Sequence, residues 1–416
     1  NKRNSRIMPP YLAYKSDLGA GRVLYWVGGT GTWNTTVGTK WALTSGGTGG
    51  EPVPTALDDV YFDGNSSAAQ PFPDTCTLSS SSVCRSASFA LYPGILSHPN
   101  STTWTIHGGL ILGDPIFGTS MTYSFTLASA LTPTILFAAT SGSWYISTAG
   151  LTMPNETFNG AGGTWVFFDD NTSTREFNLI AGSLYTAGMA VTGLSFTGDG
   201  STTRALYLSS SQIYMSQAIG FDAWDFDTVT GLTFDAGTST VNLTAVITGN
   251  VLFSGGGLTY NNVNITPNTG NALTEITGAN TFANLTVANT DIVPSELRFY
   301  ADQTITGTLA LSGSTASIRL MASSDTYETP RTLTAATVSM SNMDFRDITA
   351  GGAANWDLSA ITGRSGDCFG NTGITFSTPR DVYWYRNTGE YHSVTQWFTA
   401  TGGGGVLATC PIPQDT

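Results

Sequence analysis

The sequence predicts an all-β fold, a parallel β-helix or β-solenoid with Trp/Gly-rich terminal blocks. The segment from Thr259 to Thr266, TYNNVNIT, returns 22 residues later as Thr281 to Ala288, TFANLTVA. Apolar residues in both copies alternate with polar ones at the period of two that is typical of a strand. Charged residues make up 11% of the chain, and its many Gly, Thr and Asn residues favour turns and strands. A unit this short buries its apolar face by stacking on a copy of itself.

Composition shifts along the chain divide it into five segments. Basic residues and Pro9-Pro10 mark the amino terminus, and a block dense in Trp and Gly follows it. The predicted segments are an N-terminal arm or linker (1–22), a Trp/Gly-rich capping block (23–65), the β-solenoid (66–350), a Gly-rich connector (351–380) and a second, incomplete copy of the Trp/Gly-rich block (381–416).

The Trp/Gly-rich capping block is partly repeated near the carboxyl end of the chain. Large aromatic side chains bring much apolar area per residue, so we expect the Trp residues of both blocks to be buried structural anchors. The anchors are Trp26, Trp33 and Trp41 in the first block and Trp384 and Trp397 in the second. The matches are Leu24-Tyr-Trp26 with Val382-Tyr-Trp384, Trp41 with Trp397, and Val53-Pro54 with Ile412-Pro413.

The chain has four cysteines, and none of them shows metal-site spacing. Cys76 and Cys84 lie eight residues apart, which leaves two interpretations open. Both are free buried thiols, or they form a Cys76–Cys84 disulfide that implies an oxidising compartment.

The net charge of −13 makes nucleic acid an unexpected partner, because an acidic surface repels phosphate. No run of 18 apolar residues occurs, so no membrane span is expected. The basic amino terminus has no apolar segment after it and does not have the pattern of a secretory signal.

Catalytic residue types are scarce. Histidine occurs only at 98, 107 and 392, which leaves little for a Ser-His-Asp system or a zinc site. The glycine runs do not follow the strand-to-helix pattern of a phosphate loop. We therefore predict no catalytic residue, no metal and no cofactor.

One acidic stretch is a candidate carbohydrate-binding site. In Asp222-Ala-Trp-Asp-Phe-Asp227, Asp225 and Asp227 share a strand face and Trp224 and Phe226 take the other. Trp beside acids is typical of a sugar platform, and paired carboxylates on neighbouring coils could hydrolyse a glycosidic bond. The alternative is that the acids here and at Asp169-Asp170 cap turns or line a solvated face. The Asn-x-Thr sites at Asn242 and Asn284 fall in repeat strands and are interpreted as ladder residues.

The pattern resembles long repetitive β-helical proteins of tailed-phage virions and bacterial adhesin-like surface proteins. The resemblance is carried by the coils above and by the segments 25–63, 75–89 and 103–112; the coil pattern is weak between 113 and 230. It implies a rigid element at a virion surface or outside the cell, with other virion or surface proteins, further copies of itself or a host-surface glycan as partners.

We expect a non-enzymatic structural protein, a fibre, spike or decoration element for assembly or attachment. A carbohydrate-binding adhesin and a tailspike-like polysaccharide depolymerase are the alternatives, and Asp222, Asp225 or Asp227 would act in the depolymerase.

Overall fold

A computed structural model describes residues 21–416 apart from 35–39, 68–72, 114–120, 126–131, 218–221, 246–249, 268–272, 291, 386–395 and 407–409. Residues 1–20 of the predicted arm therefore lie outside the described residues, as does His392. The described chain is built of short strands, and a single 3-10 turn at Thr401–Gly403 is its one helical element.

The strands of the first half, in chain order, are β1 (Val23–Trp26), β2 (Gly31–Thr32), β3 (Trp41–Ala42), β4 (Asp59–Tyr61), β5 (Thr75–Thr77), β6 (Val83–Cys84), β7 (Ser86–Ser88), β8 (Ile95–His98), β9 (Thr103–Ile106), β10 (Leu110–Ile111), β11 (Thr122–Phe125), β12 (Thr134–Phe137), β13 (Ser143–Ser147), β14 (Thr152–Met153), β15 (Asn155–Phe167), β16 (Asn171–Ser173), β17 (Glu176–Tyr185), β18 (Val191–Gly193) and β19 (Ser195–Thr197). Those of the second half are β20 (Arg204–Tyr207), β21 (Gln212–Gln217), β22 (Trp224–Asp225), β23 (Leu232–Asp235), β24 (Thr240–Ala245), β25 (Val251–Ser254), β26 (Thr259–Thr266), β27 (Leu273–Thr277), β28 (Thr281–Ala288), β29 (Ser295–Phe299), β30 (Gln303–Ser312), β31 (Leu320–Ser324), β32 (Arg331–Ser341), β33 (Met343–Arg346), β34 (Ile348–Gly351), β35 (Ser365–Asp367), β36 (Tyr383–Trp384) and β37 (Trp397–Phe398).

Apart from β3, β36 and β37, these strands stack in parallel into the walls of a solenoid, which confirms the predicted fold class. The first wall runs from β1 through β4, β7, β10 and β13 to β23. The second runs from β6 through β12, β19 and β25 to β35. The third begins with a four-stranded sheet that ends at β11 and resumes as a ten-stranded sheet from β14 to β34.

The 22-residue repeat is one coil of this solenoid. Thr259 pairs with Thr281, Val263 with Leu285 and Ile265 with Val287, in the register that the sequence predicts. Their apolar side chains are fully buried. The polar side chains on the outer face form the predicted ladder, in which Asn264 donates to Asn242 (3.0 Å) and Asn284 donates to Asn262 (2.8 Å).

Inward-facing side chains stack in columns from coil to coil, so the core is continuous along the solenoid. The column of the second wall contains Trp104, Ile135, Glu156, Phe177, Phe196, Trp224, Phe253, Ile276 and Phe299. The facing column of the third wall contains Asn171, Val191, Ile213, Val241, Val263, Leu285, Leu309 and Val338.

One sequence expectation needs correction, and the structure decides between the two interpretations of the cysteine pair. Trp26, Trp33 and Trp41 are buried as expected, and Trp397 is 9% exposed, but Trp384 is 38% exposed. Cys76 and Cys84 are both free and fully buried. The interpretation as free buried thiols is therefore the one that holds; Cys76 lies on the third wall and Cys84 on the second. Burial raises the pKa of both thiols well above the ordinary value.

The residues that the structure describes contain no helix that is long and apolar enough to cross a membrane.

Candidate functional site

The candidate acidic site lies on the outer face of the second wall. Strand β22 places Asp225 in the row between Thr197 of β19 and Ser254 of β25. Both neighbours in this row are hydroxyl side chains, so no carboxylate lies opposite Asp225 on the coils to either side. The carboxylate pair that a glycosidase needs is therefore absent from this row.

Trp224 is not part of this surface. As the alternation predicts, Trp224 and Phe226 point inward while Asp225 and Asp227 point outward, and both aromatic side chains are fully buried. The Trp224 indole donates to the hydroxyl of Tyr260 (3.1 Å), and its ring stacks on Phe226 at 4.8 Å. Trp224 cannot contact a sugar from this position, so its predicted role in carbohydrate binding is wrong.

Two of the three acids act as acceptors in hydrogen bonds between coils. Asp225 accepts from the Thr197 hydroxyl (2.9 Å) and Asp227 accepts from the Thr277 hydroxyl (2.9 Å). Asp199, on the preceding coil, accepts from the Thr228 amide (2.5 Å). These contacts attach Asp199, Asp225 and Asp227 to the solenoid wall. Together with Asp222 these residues form the acidic strip.

The negative charges in this strip disfavour one another. Burial raises the pKa of Asp222, and the nearby charges of Asp225, Asp227 and Glu275 raise it further. Burial likewise raises the pKa of Asp225 against the lowering effect of the Thr197 hydrogen bond. At neutral pH the charges of these carboxylates therefore repel one another and cost stability. Such repulsion is compatible with a solvated structural face and equally with a binding site.

This repulsion predicts that Asp222→Asn raises the melting temperature at pH 7. A carboxyl whose folded pKa is raised contributes stability at low pH that is lost as the pH rises through that pKa. The variant should therefore show a flatter dependence of melting temperature on pH between pH 4 and pH 7, with Glu328→Gln, an exposed acid, as control. A parent and a variant with the same pH dependence would contradict the repulsion inferred here.

Arg204 fixes the turn that follows the acids, a role the sequence did not reveal. Its side chain is 1% exposed and donates to the carbonyl oxygens of Gly198 (2.6 Å), Thr228 (2.6 Å) and Thr230 (2.9 Å). Burial lowers the pKa of Arg204. Because the guanidinium holds backbone of two successive coils, it sets where Asp227 lies on the wall.

Asp169 caps a turn, which is the alternative role that the sequence suggested for the acidic residues. Its carboxylate accepts from the Ser147 hydroxyl (2.6 Å) and from the amides of Thr148 (2.8 Å) and Ala149 (2.9 Å). Ala149 has a positive φ of 52°, so the capped turn includes a backbone conformation that L-residues rarely adopt.

A polar cluster lies inside the solenoid, where sequence reasoning placed none. Glu156 and Asn171 occupy core positions of facing columns and are 0% and 1% exposed. The Asn171 amide donates to Glu156 Oε2 (3.0 Å), whereas Glu156 Oε1 and Asn171 Oδ1 have no hydrogen-bond partner. Burial raises the pKa of Glu156 to about 8, so the carboxyl is largely neutral at pH 7.

His98 and Tyr123 form a second buried pair where the four-stranded part of the third wall ends. Their Nδ1 and Oη atoms are 2.7 Å apart, and His98 Nε2 lies 3.1 Å from the Thr102 carbonyl oxygen. Burial lowers the pKa of His98 to about 4. A neutral, buried imidazole with both nitrogens engaged is a structural residue and is closed to substrate.

An outward row of three tyrosines and one valine crosses the first wall. Tyr145, Val166, Tyr185 and Tyr207 pair in successive strands, and Tyr185 and Tyr207 stack at 4.2 Å with an interplanar angle of 10°. Tyr145 is 50% exposed and Tyr185 is 36% exposed. This tyrosine row is an exposed aromatic surface of the kind that was expected at Trp224, which is buried instead.

Among the described residues no group of three or more His, Cys, Asp or Glu side chains could hold a metal ion. Comparison with protein-family models, curated proteins and solved structures gives no match to this chain.

Proposed function

We propose that this chain is a non-enzymatic structural protein, a rigid β-solenoid at the surface of a virion or a cell that serves assembly or attachment. The observation that carries the proposal is the core, whose inward columns continue from coil to coil along the solenoid. A solenoid of this kind is stabilised by contacts between neighbouring coils along its whole length. Such a body suits a fibre, spike or decoration element.

The chemistry of the acidic strip supports the same proposal. Asp225 and Asp227 are occupied as acceptors from threonine hydroxyls, and Trp224 lies in the core. An acid catalyst would need a partner carboxylate on the opposite side of a bound glycosidic bond.

The test is a polysaccharide cleavage assay with the parent chain and with the Asp222→Asn, Asp225→Asn, Asp227→Asn triple variant. The account predicts no release of reducing ends by either protein. Cleavage by the parent that disappears in the triple variant would establish the depolymerase alternative and overturn the proposal.

Carbohydrate binding without cleavage is the second candidate, and the exposed tyrosine row favours it. Ser143, Thr164 and Ser183 form a parallel row two residues before the tyrosine row, so hydroxyl groups flank the rings. If this row binds glycan, Tyr145→Ala should weaken retention on a glycan array by tenfold or more, whereas Asp227→Asn should leave it unchanged. Equal retention of parent and Tyr145→Ala would remove the row as a binding site.

A further inference from the structure

Tyr185 and Tyr207 are held face to face on the outside of the first wall. They are the last residues of β17 and β20 and pair directly with each other in the parallel ladder. Neighbouring strands of such a ladder lie about 4.8 Å apart. The two ring centroids are 4.2 Å apart, and the ring planes differ by only 10°. The rings are therefore almost parallel and lie directly against each other.

The coils beneath the rings fix this arrangement. Leu184 and Leu206 pair one residue earlier in the same ladder, and both are fully buried. Because side chains alternate along a strand, the buried leucines hold the two tyrosines on the outer face. One residue later, the amide of the buried Thr186 donates to the Tyr207 carbonyl oxygen (3.0 Å). The spacing of the two rings is thus set by the core and by the backbone ladder.

The two phenol groups point in the same direction. Burial raises the pKa of Tyr185, and a hydrogen bond with the Tyr207 hydroxyl raises it further. The two hydroxyl groups therefore lie side by side, as expected for side chains that leave parallel strands in matched register. With the rings parallel and the hydroxyls adjacent, the ring carbons ortho to the hydroxyl of Tyr185 lie over those of Tyr207.

The neighbours of the pair in its row do not compete with it. Tyr185 has Val166 on its other side, and Tyr207 has Asp235. Neither of these side chains can form a phenoxyl radical. Tyr145 belongs to the same row but is separated from Tyr185 by the coil of Val166, a distance of roughly 10 Å between strands. A radical on one ring of the pair therefore has the other ring as its nearest phenol in the row.

We propose that Tyr185 and Tyr207 form a preformed site for an oxidative dityrosine crosslink between neighbouring coils. The reactant is a peroxide-dependent one-electron oxidant, such as a peroxidase acting with hydrogen peroxide. The crosslink is a covalent modification that goes beyond the structural role proposed above and does not depend on it.

The reaction removes two electrons and two protons from the pair. Each phenol loses one electron and its hydroxyl proton, which gives two phenoxyl radicals whose unpaired electrons are shared with the ortho carbons. A carbon–carbon bond then forms between one ortho carbon of each ring. The hydrogen on each bonded carbon moves as a proton to the oxygen of its own ring, which restores both aromatic rings. Hydrogen peroxide takes up the two electrons and two protons and becomes two molecules of water.

The crosslink joins two successive coils through their side chains. Tyr185 and Tyr207 are 22 residues apart in the chain, so the new bond closes a loop of one coil. A covalent link of this kind restricts the unfolded chain as a disulfide does. The crosslinked solenoid should therefore resist unfolding at the point where the bond lies.

The test exposes the full chain to a peroxidase and hydrogen peroxide and follows the blue fluorescence of dityrosine. After denaturation, trypsin cleaves at Arg204 and places the two tyrosines in separate peptides, 176–204 and 205–298. We expect mass spectrometry to find these peptides joined, with a mass two hydrogen atoms below their sum. The yield should fall at least tenfold in Tyr207→Phe, which keeps the ring but cannot form the second phenoxyl radical.

Other tyrosines of the first wall supply the controls. Tyr145→Phe should leave the yield unchanged, because Tyr145 is exposed but has Val166 as its neighbour. Tyr25 and Tyr61 also pair in register, but their rings are 5.5 Å apart at 27°, so we expect a smaller yield from them. A yield at the proposed site no greater than that at Tyr25 and Tyr61 overturns the preformed site, as does a covalent dimer as the main product.

Urea unfolding then measures what the crosslink does. The oxidised parent chain should unfold at a higher urea concentration than the untreated chain, and oxidised Tyr207→Phe should show no such shift. An oxidised parent that carries the crosslink but unfolds at the same urea concentration overturns its stabilising effect. None of these outcomes depends on the cleavage assay, so the crosslink can fail while the structural role stands, and the reverse.

Discussion

Trp26→Ala should lower the free energy of unfolding by about 4 kcal/mol, because removing a fully buried large aromatic side chain leaves a cavity. Trp26 is 0% exposed, contacts Trp41 and Phe62, and donates its indole N–H to the Gly29 carbonyl oxygen (3.0 Å). Its loss would also leave that carbonyl oxygen without its donor. Denaturant unfolding followed by circular dichroism measures the change.

The chain supplies a matched control at Trp384. This residue makes the same pair with its partner tryptophan, yet it is 38% exposed, so less apolar area returns to water when it is removed. We expect Trp384→Ala to cost less than half as much as Trp26→Ala. Equal losses from the two substitutions would contradict the difference in burial between the two tryptophans.

Glu156→Gln should stabilise the protein by about 4 kcal/mol at pH 8 and by much less near pH 5. The folded pKa of Glu156 is raised to about 8 from the ordinary value of 4.5 by burial. Below pH 4.5 the carboxyl is neutral in the folded and unfolded chains, so it imposes no cost. As the pH rises toward 8 only the unfolded chain ionises, and the folded state loses about 1.4 kcal/mol per pH unit.

Glutamine suits this test because it keeps the size of the side chain and an acceptor for the Asn171 amide. The other titratable groups nearby are Tyr123, whose pKa is raised by burial and by the charge of Glu156, and His98, which is bonded to Tyr123. His98 has a lowered pKa and charges only in acid, so it does not obscure the alkaline effect. Urea unfolding at pH 5, 6.5 and 8 measures the free energy of unfolding of parent and variant. If the variant shows the same pH dependence as the parent, the raised pKa of Glu156 is contradicted.

The repeated coil could be predicted from sequence because its signal is local. The alternation in Thr259 to Thr266 fixes which side chains point inward, and the copy 22 residues later fixes the register. The same alternation places Trp224 on the other strand face from Asp225, so it also predicts that Trp224 is buried.

Coil boundaries between 113 and 230 could not be predicted, because β15 and β17 each run through the second wall into the first as one continuous strand. The sequence does not mark where one wall ends and the next begins. Gly193-Leu-Ser-Phe196 resembles Gly231-Leu-Thr-Phe234. Phe196 nevertheless belongs to the second wall and Phe234 to the first, where it pairs with Leu206. The two similar segments therefore both form strands, but the strands belong to different walls of the solenoid.

The buried polar cluster contradicts the pattern that reveals the rest of the core. Glu156 lies two residues before Phe158, in the same inward phase, but charged residues are almost never fully buried without a partner. Asn171 lies at the matching core position of the third wall, and only the pairing of the walls brings the two together. The sequence does show a Glu in the same phase as an inward Phe. Whether that Glu has a buried partner depends on which coils face each other, and the sequence does not show this.

Cryo-electron microscopy of the native assembly that contains this chain tests the structural role most directly. The account predicts a continuous stack of coils in contact with other proteins of the assembly, with no ligand along residues 222–227. A chain that stands free of other proteins, with polysaccharide density bound along that acidic strip, would contradict it.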